Sequence, residues 1–137
     1  MKNKKIVFTN GCFDIIHRGH IDYLEEAKKL GDILLIGLNS DESVRKLKGE
    51  NRPINNEEDR KKVLLALKSV DEVIIFNEED PLELVKQIKP DVIVKGGDWK
   101  IENMIGADFV IENGGEAYSL PFYDGYSTTN ILNKMKD

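Results

Sequence analysis

The chain has 137 residues, 40% hydrophobic and 33% charged, with 20 Lys and Arg against 25 Asp and Glu for a net charge of −5. That length and balance fit one globular domain over residues 1–137 and exclude broad electrostatic attraction to nucleic acid or an anionic membrane. A single cysteine excludes an intrachain disulfide and suits a reducing cytoplasm, no apolar run reaches the ~18 residues of a membrane span, and Met1 to Lys5 carry no signal-peptide pattern.

Lys5-Ile6-Val7-Phe8 reads as a buried strand, followed from Thr9 to His20 by a glycine-containing turn. Ile21, Leu24, Ala27 and Leu30 then recur at helical spacing, and Gly31 stops the pattern. Ile33 to Leu38 is a continuous apolar run, as a central parallel strand requires. Asn39-Ser40-Asp41 caps a short helix running to about Leu47, and Lys48 to Asn56 form a polar loop broken by Gly49 and Pro53. Asn56 caps a helix with Val63, Leu64 and Leu67 on one side. Val73 to Phe76 is a third strand, Pro81 opens a helix with Leu82, Val85 and Ile88 inward, and Val92 to Val94 form a fourth strand after Pro90. Phe109 to Ile111 and Ala117 to Leu120 read as short edge strands, and a last helix starts near Ser127.

Strands alternating with helices predict an α/β fold: a Rossmann-like, doubly wound parallel sheet of about five strands flanked by helices. Ligands in such sheets bind at the C-terminal strand ends. The polar segments Thr9 to His20, Asn39 to Asp41, Lys95 to Trp99 and the loop before Ser127 each follow a strand and should share one rim.

His17-Arg18-Gly19-His20 is the most informative of these segments. A helix N-terminus after a strand offers free backbone N–H groups and a favourable dipole to phosphate. His17 and His20, the chain's two histidines, add side-chain donors at the same place. The plainer alternative is a helix cap or surface pair. A zinc site from Cys12, His17 and His20 is weaker, because no second cluster closes it.

Gly11-Cys12-Phe13-Asp14 with His17-Arg18-Gly19-His20, and Ser127-Thr128-Thr129-Asn130-Ile131 near the other end, resemble the paired signatures of the cytidylyltransferase-like nucleotidyltransferases, relatives of the class I aminoacyl-tRNA synthetases. Thr9-Asn10-Gly11, Asn39-Ser40-Asp41, Lys46-Leu47-Lys48-Gly49, Arg52-Pro53, Lys95-Gly96-Gly97-Asp98, Asn113-Gly114-Gly115-Glu116 and Asp124-Gly125 look most like the adenylyltransferase domain of bifunctional ADP-heptose synthase, without its sugar-kinase domain. Members that make CDP-glycerol carry an arginine where this chain has Phe122-Tyr123-Asp124-Gly125.

The resemblance implies transfer of AMP from ATP to D-glycero-D-manno-heptose 1-phosphate, with ADP-heptose and pyrophosphate as products, in a cytoplasmic homodimer. It implies catalytic roles for His17, His20, Lys48 and Thr128. Nucleotide binding would fall to Asn10, Gly11, Cys12, Phe13, Asp14, Gly19, Lys95, Gly96, Asp98, Ser127, Thr128 and Thr129. Acceptor binding would fall to Asn39, Asp41, Lys48, Arg60 and Asp124. Magnesium would arrive on the ATP phosphates, with no protein metal cage.

Several of these residues have a second reading. Arg60, near a helix start, is either a ligand contact or the partner of Glu57 or Asp59. Asp14 orients the histidine turn, binds ribose or helps place magnesium. Ser127 is an N-cap as well as a phosphate contact, and Trp99 covers the pocket or packs. Rival activities are an FAD synthetase, a CDP-forming transferase and, outside enzymes, a nucleotide-binding partner subunit.

Overall fold

Alternating strands and helices wind a single sheet, seen in a computed structural model that describes residues 4–97 and 100–121. The order is β1 (Ile6–Gly11), α1 (Arg18–Lys28), β2 (Ile33–Asn39), α2 (Asp41–Lys48), α3 (Glu57–Leu65), β3 (Glu72–Phe76), α4 (Leu82–Ile88), β4 (Val92–Gly96), a 3₁₀ turn (Ile101–Asn103), α5 (Ala107–Glu112) and β5 (Glu116–Leu120). The 5-stranded sheet is parallel throughout, in the order β3-β2-β1-β4-β5.

Alternation along each strand sends side chains to opposite faces. Val7, Leu34, Ile36, Val92 and Val94 meet Leu24, Ala27 and Leu64 of α1 and α3 on one side. Phe8, Leu35 and Ile93 meet Leu84, Val85 and Val110 of α4 and α5 on the other. Both faces are covered, which is why the strands read as continuous apolar runs. Ser40 and Asn56 cap α2 and α3 by accepting from the N–H of Ser43 and Asp59. No helix among the described residues is long and apolar enough to cross a membrane.

Four local readings are corrected. Phe109-Val110-Ile111 is helical: Ala107 and Val110, one turn apart, are both buried while Ile111 is exposed. Three apolar residues are too few to separate a period of 2 from one of 3.6. On α3, Leu64 is buried but Val63 is 48% exposed, because the core takes only the narrow stripe facing the sheet. On α4 the fully inward residues are Leu84 and Val85, while Leu82 is half-buried. β1 runs on through Thr9, Asn10 and Gly11, paired residue by residue with β2. The helix expected near Ser127 lies outside the described residues.

Candidate active site

Strand order reverses between β1 and β4, with β2 and β3 laid to one side and β5 to the other. Those two central strands pair only at Val7–Val92 and Phe8–Ile93, although β1 continues to Gly11 and β4 to Gly96. Beyond Phe8 and Ile93 that pairing stops, and the gap between their C-terminal ends is where sheets of this kind bind ligands. Two cavities open there. One, about 200 Å³, is lined by Asn10, Gly11, Cys12, Phe13, Asp14, His20, Tyr23, Lys48, Arg52, Lys95 and Gly96. The other, about 360 Å³, shares Asn10, Gly11, Cys12, Lys48 and Lys95 and adds Asn39, Glu79, Asp80 and Asn103 with an apolar wall of Leu47, Pro81, Met104 and Ile105.

The two histidines cap α1 reciprocally. His17 is the N-cap residue and its Nδ1 accepts from the Gly19 N–H at 3.1 Å, while the His17 N–H donates to His20 Nδ1 at 3.3 Å. The rings stack with centroids 3.9 Å apart. Phe13 leans on the far side of His20, 5.4 Å between centroids. An Nδ1 that accepts carries no proton, so each neutral ring holds its proton on Nε2. Burial lowers the His17 pKa, and burial followed by the nearby His17 and Lys48 charges pushes His20 down to about 4. Both rings are therefore neutral Nε2–H donors at pH 7. Cap and donor, alternatives on paper, are held by different nitrogens of the same rings.

Asp14 is the anchor of the turn. Its Oδ2 accepts from Arg52 Nε at 3.0 Å and the Ile54 N–H at 2.7 Å, and its Oδ1 from the Asn55 N–H at 2.8 Å. Burial alone raises its pKa, but the Asn55 and Ile54 N–H groups and Arg52 outweigh that and hold it below the usual carboxylate range. Its oxygens are taken up by the polar loop, an arrangement that orients the histidine turn.

Arg60 pairs with neither Glu57 nor Asp59, and its hydrogen bonds go to the protein itself. Its side chain is fully buried, and it donates to the backbone oxygens of Asn55 (2.9 Å), Cys12 (2.8 Å) and Asn39 (2.8 Å) and to the Asp41 carboxylate (2.8 Å). One guanidinium thus ties together the ends of β1 and β2, the start of α2 and the loop before α3. The sequence shows its place at a helix start but not the three carbonyls that offset the dipole. Asp41, proposed for the acceptor, is thereby an Arg60 partner, and Asn39 donates to Ser43 Oγ at 2.9 Å while lining the larger cavity.

Lys48 and Lys46 separate clearly. Lys46 pairs with Glu42 at 3.6 Å, whereas Lys48, the last residue of α2, borders both cavities. Burial lowers the Lys95 pKa. Burial raises that of the Cys12 thiol despite Lys48, Arg60 and Arg52 nearby, so Cys12 stays protonated. Among the described residues no three His, Cys, Asp or Glu side chains are grouped to hold a metal.

Of the expected residues, Asn10, Gly11, Cys12, Phe13, Asp14, His20, Lys48, Lys95 and Gly96 line the smaller cavity, and Gly19 is buried in the first turn of α1. His17 sits beside His20 and lines neither cavity. Asp98, Trp99, Asp124, Ser127, Thr128 and Thr129 lie outside the described residues. Arg52 and Tyr23 were not assigned from sequence. Tyr23 was within reach, because it stands one turn after His20 and so on the same helix face.

A cytidylyltransferase-like family model matches residues 8–134. The chain belongs to the cytidylyltransferase-like family. The family match supports a nucleotidyltransferase enzyme. It is 55% identical over 134 residues to the Bifunctional protein HldE of Aliarcobacter butzleri, covering 98% of this chain and 27% of that one, and 53% identical to HldE of Geobacter metallireducens over the same shares. The chain therefore spans little more than a quarter of those curated relatives. Among solved structures, a lipopolysaccharide core biosynthesis protein from Thermoplasma volcanium is 34% identical with a TM-score of 0.73, over 89% of this chain and 100% of that one. A Francisella tularensis pantoate-beta-alanine ligase, 15% identical with a TM-score of 0.63, shares the fold alone.

Proposed function

We propose that this cytidylyltransferase-like chain transfers AMP from ATP to a heptose 1-phosphate, releasing pyrophosphate and ADP-heptose. The observation that carries the reading is a neutral, Nε2-protonated histidine pair at a helix N-terminus, beside a cavity lined by glycine backbone, Lys48 and Lys95. The sugar phosphate oxygen attacks the α-phosphorus, the bond to the bridging oxygen breaks, and pyrophosphate leaves with that electron pair. Both reactants are anions, so the protein's task is alignment and neutralisation of the growing charge. His20 donates to the phosphates without having to lose a proton first, and His17 holds it in register. Lys48 and Lys95, each bordering both cavities, are cations able to serve nucleotide and acceptor together.

The larger cavity supports a sugar acceptor. Glu79, Asp80, Asn39 and Asn103 offer groups for hydroxyls, and Leu47, Met104 and Ile105 an apolar face for a ring. Thr128, Thr129, Ser127, Asp98 and Asp124 keep the roles the family resemblance implies. Magnesium would neutralise phosphate charge. The smaller cavity's nitrogen donors and ammonium groups, with Asp14 already hydrogen-bonded, suit an ion that enters on the phosphates. A homodimer and a cytoplasmic setting belong to the same reading, and sedimentation equilibrium tests the first.

The test is pyrophosphate release with Mg²⁺, ATP and D-glycero-β-D-manno-heptose 1-phosphate. Turnover with ATP but little with CTP or GTP supports the proposal. Release with FMN and not with the heptose phosphate replaces it with FAD synthesis. Nucleotide binding without turnover on any acceptor points to the partner-subunit alternative.

A further inference from the structure

Among the described residues, Arg52 is the one guanidinium that reaches the smaller cavity. It lies in the polar loop between α2 and α3, and its Nε donates to Asp14 Oδ2 at 3.0 Å. That ion pair is nearly enclosed, with side-chain exposures of 13% for Arg52 and 1% for Asp14. The carboxylate is also satisfied from elsewhere, by the N–H groups of Ile54 and Asn55. The guanidinium is in the opposite position. Among the described residues, its two Nη groups make no further hydrogen bond. Those Nη groups stay open to the solvent side of the cavity, where an Arg fork matches two phosphate oxygens.

Its neighbours define what could fill that role. Gly11, His20, Lys48, Lys95 and Gly96 share the cavity, all supplying donors or positive charge, and the carboxylate that faces it, Asp14, is already engaged. A sugar hydroxyl would not require three cationic side chains, whereas a polyphosphate would. The larger cavity, where the acceptor is placed above, is not lined by Arg52.

We propose that Arg52, held by Asp14 with its Nη groups toward the smaller cavity, binds a phosphate of the bound nucleotide. The inference rests on the nucleotidyltransferase reading and adds a phosphate-binding cation to it. Because Asp14 also anchors the turn before His20, the same carboxylate sets the positions of a histidine donor and an arginine fork. Lysine in place of Arg52 keeps the charge but loses the fork.

The experiment is calorimetric titration of ATP and, separately, inorganic pyrophosphate into the wild type, Arg52→Met and Arg52→Lys, with urea unfolding of each. Arg52→Met should weaken both ligands about 10- to 100-fold, and Arg52→Lys should recover only part of that. A folded Arg52→Met or Arg52→Lys that binds pyrophosphate and ATP as the wild type does overturns the proposal. So does unchanged ATP binding with a raised KM for the sugar phosphate, which would move Arg52 to the acceptor. A wild type that binds neither ligand overturns the nucleotide reading itself. If Arg52→Met fails to fold, Arg52→Lys, which can still pair with Asp14, decides alone.

Discussion

Replacing Arg60 by methionine removes a cation that holds the rim of the site together. In the folded chain its N–H groups serve three backbone carbonyls, those of Cys12, Asn39 and Asn55, and the Asp41 carboxylate. Methionine fills much of the volume but offers no donor. Asp41, 25% exposed, can turn to water. The Asn39 and Cys12 carbonyls face the buried guanidinium and cannot do so easily. If two acceptors stay dry at about 1–3 kcal/mol each, the loss is about 2–6 kcal/mol, a range that brackets the usual cost of breaking a buried ionic contact from one side. A chain of this length is worth roughly 7–20 kcal/mol, so the variant should fold and unfold early. Urea denaturation followed by circular dichroism measures the difference. A loss below about 1 kcal/mol, together with a raised acceptor KM, would refute the reasoning and return Arg60 to the ligand.

Asp14→Asn keeps the shape but sets an amide N–H against donors, and should cost about 2 kcal/mol in the same unfolding assay; an unchanged urea midpoint would sink the anchor role. His20 has its folded pKa lowered to about 4 from an ordinary 6.5, so the unfolded state binds more protons between those values. Stability is thus complete above about pH 6.5 and falls toward pH 4 at up to about 1.4 kcal/mol per pH unit for this group, and His20→Gln should flatten that slope. A His20 titration near 6.5 by NMR would contradict the donor assignment. His17→Ala and His20→Ala should each reduce turnover by roughly 10²-fold or more while the circular dichroism spectrum is retained, and full activity in either would remove the histidines from the chemistry.

The sequence by itself determined the architecture, because apolar runs bounded by caps and glycine stops repeat a strand–helix unit whose crossovers have one allowed hand. It also pointed to the candidate site, since a strand followed by a histidine-bearing helix start is local information. The short apolar triplet Phe109 to Ile111 was not legible, as burial of Ala107 and Val110 against the sheet decides helix over strand there. Nor were the loop's functions. Arg60 lies 48 positions from Cys12, and Asp14 lies 41 from Asn55, so no spacing rule pairs them. Only the parallel winding, which stacks the ends of β1, β2 and β4 on one rim, makes Arg60 a clamp, Asp14 an anchor and Arg52 a cavity-lining cation. Charge type is written in the chain, but whether a charge meets a neighbour or a ligand is fixed by which backbone ends the fold brings beside it.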